Sequence, residues 1–198
     1  MPEVPGNVRR ILDVGCGGGQ TLAGLKLSPQ VLAIGVDRDF EALKLGKELA
    51  PGVQFVCAKG ESLPFRDQSF DFVISRLALP YMNVPAALRE MARVMTLDGK
   101  SWIVLNTTNV VCENIGKTIR ERNPRACLFE LYALLNGVLF HVTGTIVRCP
   151  FSGGRYASFQ TCGRISKILR LCGFNAVKMS RGKHLIVIAE KATPHNPS

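Results

Sequence analysis

Two patterns of apolar residues alternate along this chain. Short runs rich in valine and isoleucine are separated by segments in which apolar residues return every three or four positions. The runs predict five strands, at residues 10–14, 31–36, 53–57, 70–74 and 101–105. Strands that alternate with helices are typical of βαβ units, so the pattern predicts an α/β fold with a mostly parallel sheet.

The segments between strands predict helices with recognisable ends. One helix covers residues 42–49, with Asp39 as its N-cap. A second covers residues 88–95, opened by Pro85 and closed near Gly99. Each carries a single apolar stripe, as expected of a helix that packs on a sheet.

The end of the chain makes this outline more specific. A helix at residues 165–172 is followed by two extended runs, 174–179 and 184–189, with the short segment Ser180-Arg-Gly-Lys183 between them. A short turn that contains glycine predicts an antiparallel hairpin. The sequence therefore predicts a Rossmann-like, doubly wound sheet of seven strands, mostly parallel, that ends in an antiparallel hairpin.

The length of 198 residues predicts one domain, residues 1–198, with an inserted cap segment at about 107–159 that fits no sheet element. Within the insertion, an apolar stripe at helical spacing consists of Leu128, Leu131, Tyr132, Leu135 and Leu139. Basic residues flank it at Lys117, Arg120, Arg122, Arg125, Arg148 and Arg155. The favoured interpretation is a cap helix packed on the domain. A helix on an anionic membrane surface and a nucleic-acid contact are the alternatives.

Composition and charge indicate the kind of partner and the cellular compartment. The net charge of +10 favours an acidic partner such as nucleic acid, a phosphorylated metabolite or an anionic membrane surface. Seven cysteines occur singly, without a CxxC pair, which predicts neither a zinc site nor a disulfide framework and fits a reducing compartment. Without a secretory signal at its start, the protein is expected in the cytoplasm. Glu130, Asn136 and the limited apolar length argue against a membrane span in the insertion.

A glycine-rich loop follows the first predicted strand. The segment Ile11-Leu-Asp-Val-Gly-Cys-Gly-Gly-Gly19 turns a strand into a helix, and glycine allows both positive φ and close approach of a ligand to the backbone. A dinucleotide-binding loop would need a last glycine where this chain has Gln20. The carboxylate of Asp13, at the strand end, can instead attract a cationic ligand group.

These residues resemble the class I S-adenosylmethionine-dependent methyltransferases, in particular the small-molecule branch that includes quinone-biosynthesis enzymes. The likeness runs from about residue 10 to 106 and again from 160 to 190. It implies S-adenosylmethionine as cofactor, held by the first loop through Asp13, Gly15, Cys16, Gly17 and Gly19.

The resemblance assigns further donor contacts. Asp37, at the end of the second strand, looks like the acidic residue that accepts from both ribose hydroxyls, and Arg38 would lie along the adenine. Gly60 and Glu61 stand in the segment similar to the adenine-contacting one, and Ser75 would lie beneath the donor. The family's usual acidic residue is replaced by Lys59. The helices that usually precede the first strand are missing from this sequence, so another segment, such as the insertion, has to cover the donor.

The acceptor is less defined. Methyl transfer from a sulfonium needs alignment more than acid/base groups, and the sequence shows no conspicuous catalytic constellation and predicts no metal. The candidates for substrate contact are Arg76, Tyr81, His141 and Tyr156. The sequence favours a small-molecule acceptor, partly apolar or anionic. A nucleic-acid methyltransferase and a non-catalytic domain that binds the donor and regulates a partner remain alternatives.

Overall fold

Seven strands pair into one sheet in the computed structural model, which describes residues 1–152 and 154–191. They are β1 (Arg10–Val14), β2 (Leu32–Asp37), β3 (Gln54–Cys57), β4 (Phe70–Arg76), β5 (Met95–Asn106), β6 (Phe174–Arg181) and β7 (His184–Lys191). Residue 153, within the predicted insertion, and residues 192–198, at the end of the predicted domain, lie outside the described residues.

The strand order is β3-β2-β1-β4-β5-β7-β6. The first five strands are parallel, whereas β7 runs antiparallel to both β5 and β6. The predicted fold class is therefore confirmed. The strand order reverses between β1 and β4, and in open α/β sheets ligands bind at the carboxyl ends of the strands beside such a reversal.

Six helices connect the strands within the described residues. They are α1 (Gln20–Gly24), α2 (Phe40–Leu49), α3 (Val84–Val94), α4 (Thr108–Arg120), α5 (Pro124–Thr143) and α6 (Cys162–Leu171), and a 3-10 turn lies at Leu79–Tyr81. The Asp39 side chain accepts hydrogen bonds from the Glu41 and Ala42 backbone N–H groups, as predicted for the N-cap of α2.

Alternate side chains of the central strands form cores on the two faces of the sheet. Leu12 and Ile103 belong to the larger core, which α3 and α6 cover with Leu88 and Ile165. The adjacent residues on the same strands, Ile11 and Trp102, belong to the second core, where they are buried with Leu22 of α1. This period-2 division fixes which strand residues can face each layer of helices.

The predicted end of the helix at residues 88–95 was wrong. Val94 is the last residue of α3, and Met95 already begins β5 instead of continuing toward Gly99. Asp98 takes a φ of +63°, so the chain bends there inside the β5 segment. The register between β4 and β5 shifts between Phe70 and Phe72 to accommodate this bend.

The insertion forms α4 and α5, but its apolar stripe does not pack on the domain as predicted. Leu128, Leu131, Leu135 and Leu139 are exposed, and only Tyr132 of the predicted stripe is half-buried. The opposite face of α5 is buried, through the residues Ala133, Asn136, Gly137 and Phe140. A Cβ at Gly137 would lie 2.2 Å from the Phe159 ring, so the small residue is what lets α5 approach the segment that follows it.

The length of α5 also differs from the expectation. With 20 residues and few charges, α5 passes the length and composition test for a membrane-crossing helix. The limited apolar length therefore does not argue against a span. However, buried Asn136 donates to the Val147 and Ala157 carbonyls and accepts from the Val147 N–H, which fastens α5 along the domain.

Candidate functional site

The glycine-rich loop leaves β1 at its carboxyl end and is anchored on β2. The backbone N–H groups of Gly15 and Cys16 both donate to the Val36 carbonyl, at 2.7 and 3.0 Å. Gly15, Gly17 and Gly19 have positive φ values of 77°, 54° and 76°. Only glycine adopts this conformation at little cost, which explains why three glycines alternate here.

Two residues of the loop are held by packing beneath it. Cys16 is buried, and a Cβ at Gly35 would lie 2.7 Å from its Sγ atom. A Cβ at Gly19 would lie 2.7 Å from the Phe55 ring. A cleft opens beside the loop at the carboxyl ends of the strands, and neither Cys16 nor Gly19 lines it. The structure therefore gives these two positions a packing role. Their predicted contact with the donor stays a prediction.

Asp37 ends β2 and joins the loop to the start of α2. Its Oδ2 atom accepts from the Gly17 N–H at 2.8 Å, and its Oδ1 atom accepts from the Asp39 N–H at 2.9 Å. A carboxylate has about four lone-pair positions, so two remain for a ligand. Asp37 lines the cleft, where a pair of hydroxyl groups could donate to it.

Among the described residues of the loop region, Asp13 is a buried carboxylate whose two oxygens lack hydrogen-bond partners. Its side chain is 1% exposed, and no donor reaches hydrogen-bond geometry with either carboxylate oxygen, although Thr21 lies close enough to act on its charge. Burial raises the pKa of Asp13 to about 7, while the Arg76 guanidinium lowers it. Buried polar atoms normally have partners, so this carboxylate calls for a donor or a cation.

A cleft of about 160 Å³ opens at the carboxyl ends of β1, β2 and β3. The lining residues are Gly15, Val36, Asp37, Arg38, Ala58, Lys59, Gly60, Glu61, Ala78, Tyr81 and Met82. Five predicted cofactor residues are therefore brought together: Gly15, Asp37, Arg38, Gly60 and Glu61.

The far wall of the cleft is fixed by Glu61 and Met82. The Glu61 Oε1 atom accepts from the Asn83 N–H at 2.8 Å, which ties the loop after β3 to the start of α3. A Cβ at Gly60 would lie 2.6 Å from Met82 Sδ, and one at Gly15 would lie 3.0 Å from Met82 Cε. The Met82 side chain thus bridges the two glycines.

The remaining predicted site residues are dispersed. Ser75 is fully buried, and its hydroxyl donates to the Val14 carbonyl at 2.9 Å, so it fastens β4 to β1. Arg76, at the end of β4, is exposed and acts on the charge of Asp13. Neither residue lines the cleft, and their predicted ligand contacts stay predictions.

The aromatic and histidine residues predicted to contact the substrate also lie in different places. Tyr81 lines the cleft, and Tyr156 lines an adjoining depression that it shares with Arg38, Glu61 and Arg148. His141 lies in the last turn of α5, with its Nδ1 atom 2.9 Å from the Thr161 hydroxyl, and lines neither space. The structure thus brings Tyr81 and Tyr156, but not His141, beside residues predicted to bind the donor.

Sequence reasoning missed several cleft residues. Lys59 and Ala58 follow β3, while Ala78 and Met82 flank the 3-10 turn after β4. Their position just beyond strand ends was the available signal, because side chains at the carboxyl edge of a parallel sheet converge. Among the described residues, no group of three or more His, Cys, Asp or Glu side chains could hold a metal ion.

Comparison with known proteins shows a similarity to methyltransferases. Residues 12–103 match the model of a methyltransferase domain family. An uncharacterized methyltransferase, YcgJ of Bacillus subtilis, is 39% identical over 102 residues, which cover 48% of this chain and 40% of YcgJ. The demethylmenaquinone methyltransferase of Renibacterium salmoninarum is 37% identical over 103 residues, which cover 49% of this chain and 40% of that enzyme.

The fold extends the likeness over nearly the whole chain. A crystal structure of a SAM-dependent methyltransferase from Methanosarcina mazei superposes with a TM-score of 0.62 at 22% identity, covering 96% of this chain and 94% of that one. The match to each of the two curated relatives spans less than half of that relative's length. Residues 12–103 therefore resemble a methyltransferase domain, and the fold of the chain is that of a solved S-adenosylmethionine-dependent methyltransferase.

S-adenosylmethionine is the cofactor of this class, and the described residues fit it. Asp13 offers a buried carboxylate without a donor to a ligand that carries cationic groups. Asp37 offers free lone pairs at the cleft to vicinal hydroxyls. Gly15 and Gly60 let their loops pack closely against Ala78 and Met82, and the apolar cleft residues Val36 and Met82 are suited to a flat aromatic base.

Proposed function

We propose that this protein transfers a methyl group from S-adenosylmethionine to a small-molecule acceptor. The observation that carries the proposal is Asp13, a buried carboxylate without a hydrogen-bond partner, two residues before Gly15, which lines the cleft together with Asp37. A ligand that combines a cationic amino-acid part with a ribose supplies a cation for Asp13 and hydroxyl donors for the remaining lone pairs of Asp37.

The chain's own residues would bind and shield more than they react. When bound, S-adenosylmethionine supplies an electrophilic methyl group on a sulfonium centre. Asp13 in its ionised form would hold the cationic end, and Asp37 would accept from the ribose hydroxyls. Tyr81 and Met82 line the cleft and would keep water away from the reacting atoms.

The insertion supplies a cap in this proposal. Arg148 and Tyr156, which follow α5, line the depression together with Arg38 and Glu61 of the donor side. The Tyr81 hydroxyl also lies within electrostatic reach of Glu130 in α5. We therefore propose that the described part of the insertion, residues 107–152 and 154–159, covers the donor and forms the acceptor side of the site.

The depression indicates the kind of acceptor. Its volume is about 280 Å³, and it presents three cationic side chains, Arg38, Lys59 and Arg148, against the single acid Glu61. Such a lining favours an acceptor with an anionic group. The name of the demethylmenaquinone relative is consistent with a small-molecule acceptor.

Labelled S-adenosylmethionine, incubated with the protein and a cell extract, tests the proposal. We expect label in small molecules separated by reverse-phase chromatography, and less of it with the Arg148→Ala variant. Label found only in RNA or in protein would contradict a small-molecule acceptor. Donor binding without any transfer would instead favour a regulatory domain.

The net charge of +10 supports one second candidate, a nucleic-acid methyltransferase. Salt-sensitive retention on immobilised tRNA, together with label in RNA, would favour it.

The seven free thiols support a reducing, cytoplasmic location, which we include in the proposal.

A further inference from the structure

The outer face of α5 is a continuous apolar surface. Six exposed aliphatic side chains recur at helical spacing along four turns: Leu128, Leu131, Leu135, Val138, Leu139 and Val142. Leu135, near the middle, is 71% exposed. The spacing of three and four residues places all six within one stripe of the helix surface, which we call the α5 apolar face.

The α5 apolar face is not part of the domain core. The opposite side of the helix packs on the domain through Asn136, Gly137 and Phe140. A helix that is apolar on all sides is normally buried on all sides. Here only the inner side is covered, so the outer side is available for a partner.

The surface extends sideways from the helix. The Tyr132 hydroxyl donates to the Val147 carbonyl, and the Tyr132 ring stacks edge to face with Phe151 at 6.2 Å. Both Val147 and Phe151 are about half exposed, at 52% and 53%. They widen the apolar surface on the flank of α5 that carries Tyr132.

Positive charge borders one end and one flank of this surface. Exposed cations lie before and at the start of α5 and along the Tyr132 flank: Lys117, Arg120, Arg122, Arg125, Arg148 and Arg155. Between residues 117 and 155 the described acids are Glu121, paired with Lys117 at 3.8 Å, and Glu130, which is half-buried and hydrogen-bonded to Asn114. No acid among the described residues therefore stands exposed on the α5 apolar face.

We infer that the α5 apolar face docks on an anionic lipid bilayer, with its aliphatic side chains among the acyl chains and the flanking arginines against the headgroups. An apolar stripe bordered by cations is the combination that binds an anionic interface. A second copy of the chain would bring the same cations together, so charge disfavours self-pairing. The hydrogen bonds of Asn136 hold α5 on the domain, so the helix lies on the bilayer and does not cross it.

Flotation of the full chain with lipid vesicles tests this inference without using methyl transfer. Vesicles of phosphatidylcholine alone are compared with vesicles that also contain phosphatidylglycerol. We expect binding to the anionic vesicles only. Leu135→Asp should lower that binding about tenfold or more, because it places a charge in the apolar contact. Leu171→Asp, at an equally exposed leucine of α6 (78% exposed), is the matched control and should bind as wild type.

The cations are tested separately. Arg120→Gln and Arg125→Gln should each weaken binding about fivefold, since a cation close to an anionic surface contributes on that scale. Arg170→Gln, an exposed cation on α6, should have little effect. Thermal unfolding of every variant confirms that each one is folded.

Three results would overturn the inference. One is equal binding to neutral and anionic vesicles, and another is binding that Leu135→Asp leaves unchanged. The third is a wild-type dimer, seen by light scattering, that ignores vesicles and becomes monomeric with Leu135→Asp. That last result would assign the α5 apolar face to a second copy. None of them bears on donor binding, so the proposed function stands or falls separately.

Discussion

The Gly17 backbone N–H donates to the Asp37 carboxylate at 2.8 Å, across 20 residues of sequence. This bond joins the loop after β1 to the end of β2, so the two segments that border the cleft are fixed to each other. The same carboxylate receives the Asp39 N–H at 2.9 Å. Asp37 therefore shapes the site as well as facing its ligand.

Substitution of Asp37→Asn should weaken binding of S-adenosylhomocysteine about 10- to 100-fold, the effect of losing hydrogen bonds to a charged group. The amide cannot accept from both backbone N–H groups and from two hydroxyls at once. Calorimetric titration measures the change. Asp39→Asn is the control, because asparagine is an equally good N-cap, and its affinity should match wild type.

The buried carboxylate of Asp13 should make donor binding pH-dependent. Its pKa is about 7 in the folded chain, so it is largely protonated below neutrality. A cationic ligand prefers the ionised form, and affinity for S-adenosylmethionine should therefore rise between about pH 6 and about pH 8. Titrations in buffers of different ionisation enthalpy would detect proton release, and Asp13→Asn should abolish both effects.

The same pKa has a consequence for stability. Because the pKa of Asp13 in the folded chain lies above its ordinary value of 3.8, the protonated carboxyl favours the fold, fully so below that ordinary value. The free energy of unfolding without ligand should fall as pH rises toward about 7. Asp13→Asn should remove that part of the decline. An unchanged pH profile in this variant would contradict the account of Asp13.

Gly46 should not tolerate a methyl group. A Cβ there would lie 2.8 Å from the Phe55 ring and 3.1 Å from the Gly18 carbonyl carbon, beneath the glycine-rich loop. Gly46→Ala should lower the free energy of unfolding by about 1–3 kcal/mol. Gly116 is also helical but has no atom within 4 Å of that position, so Gly116→Ala should raise it by about 0.5–1 kcal/mol. Urea unfolding measures both, and equal effects would argue against this packing.

Asn136 should hold the segment after α5 in place. Its side chain is 4% exposed and bonds to the backbone of Val147 and Ala157. Asn136→Ala should cost about 2–3 kcal/mol, because buried backbone groups lose their partners. Hydrogen exchange of the Val147 amide should accelerate. Asn109→Ala, at an exposed position of α4, should change neither quantity.

The sheet and the glycine-rich loop were predictable because their signals are local. A short apolar run defines a strand such as Arg10–Val14 without reference to the rest of the chain. The glycines at 15, 17 and 19 all take the positive φ that their residue type suggests. Asp37 could be assigned to the same cleft because parallel strands end at one edge of the sheet.

The features that failed depend on distant contacts. The stripe of α5 is genuine, but the sequence could not tell which side would meet the domain. Gly137 decides the matter, since its missing side chain leaves room for the Phe159 ring. The contribution of Met82 to the cleft was likewise invisible, because it follows from how the turn after β4 folds over Gly15 and Gly60.

Titration calorimetry of the wild-type chain with S-adenosylhomocysteine tests the central claim most directly. The account predicts saturable binding at one site per chain, and no comparable heat with NAD. Absence of binding, or equal binding of the two compounds, would contradict a methyl-donor site between Asp13 and Asp37.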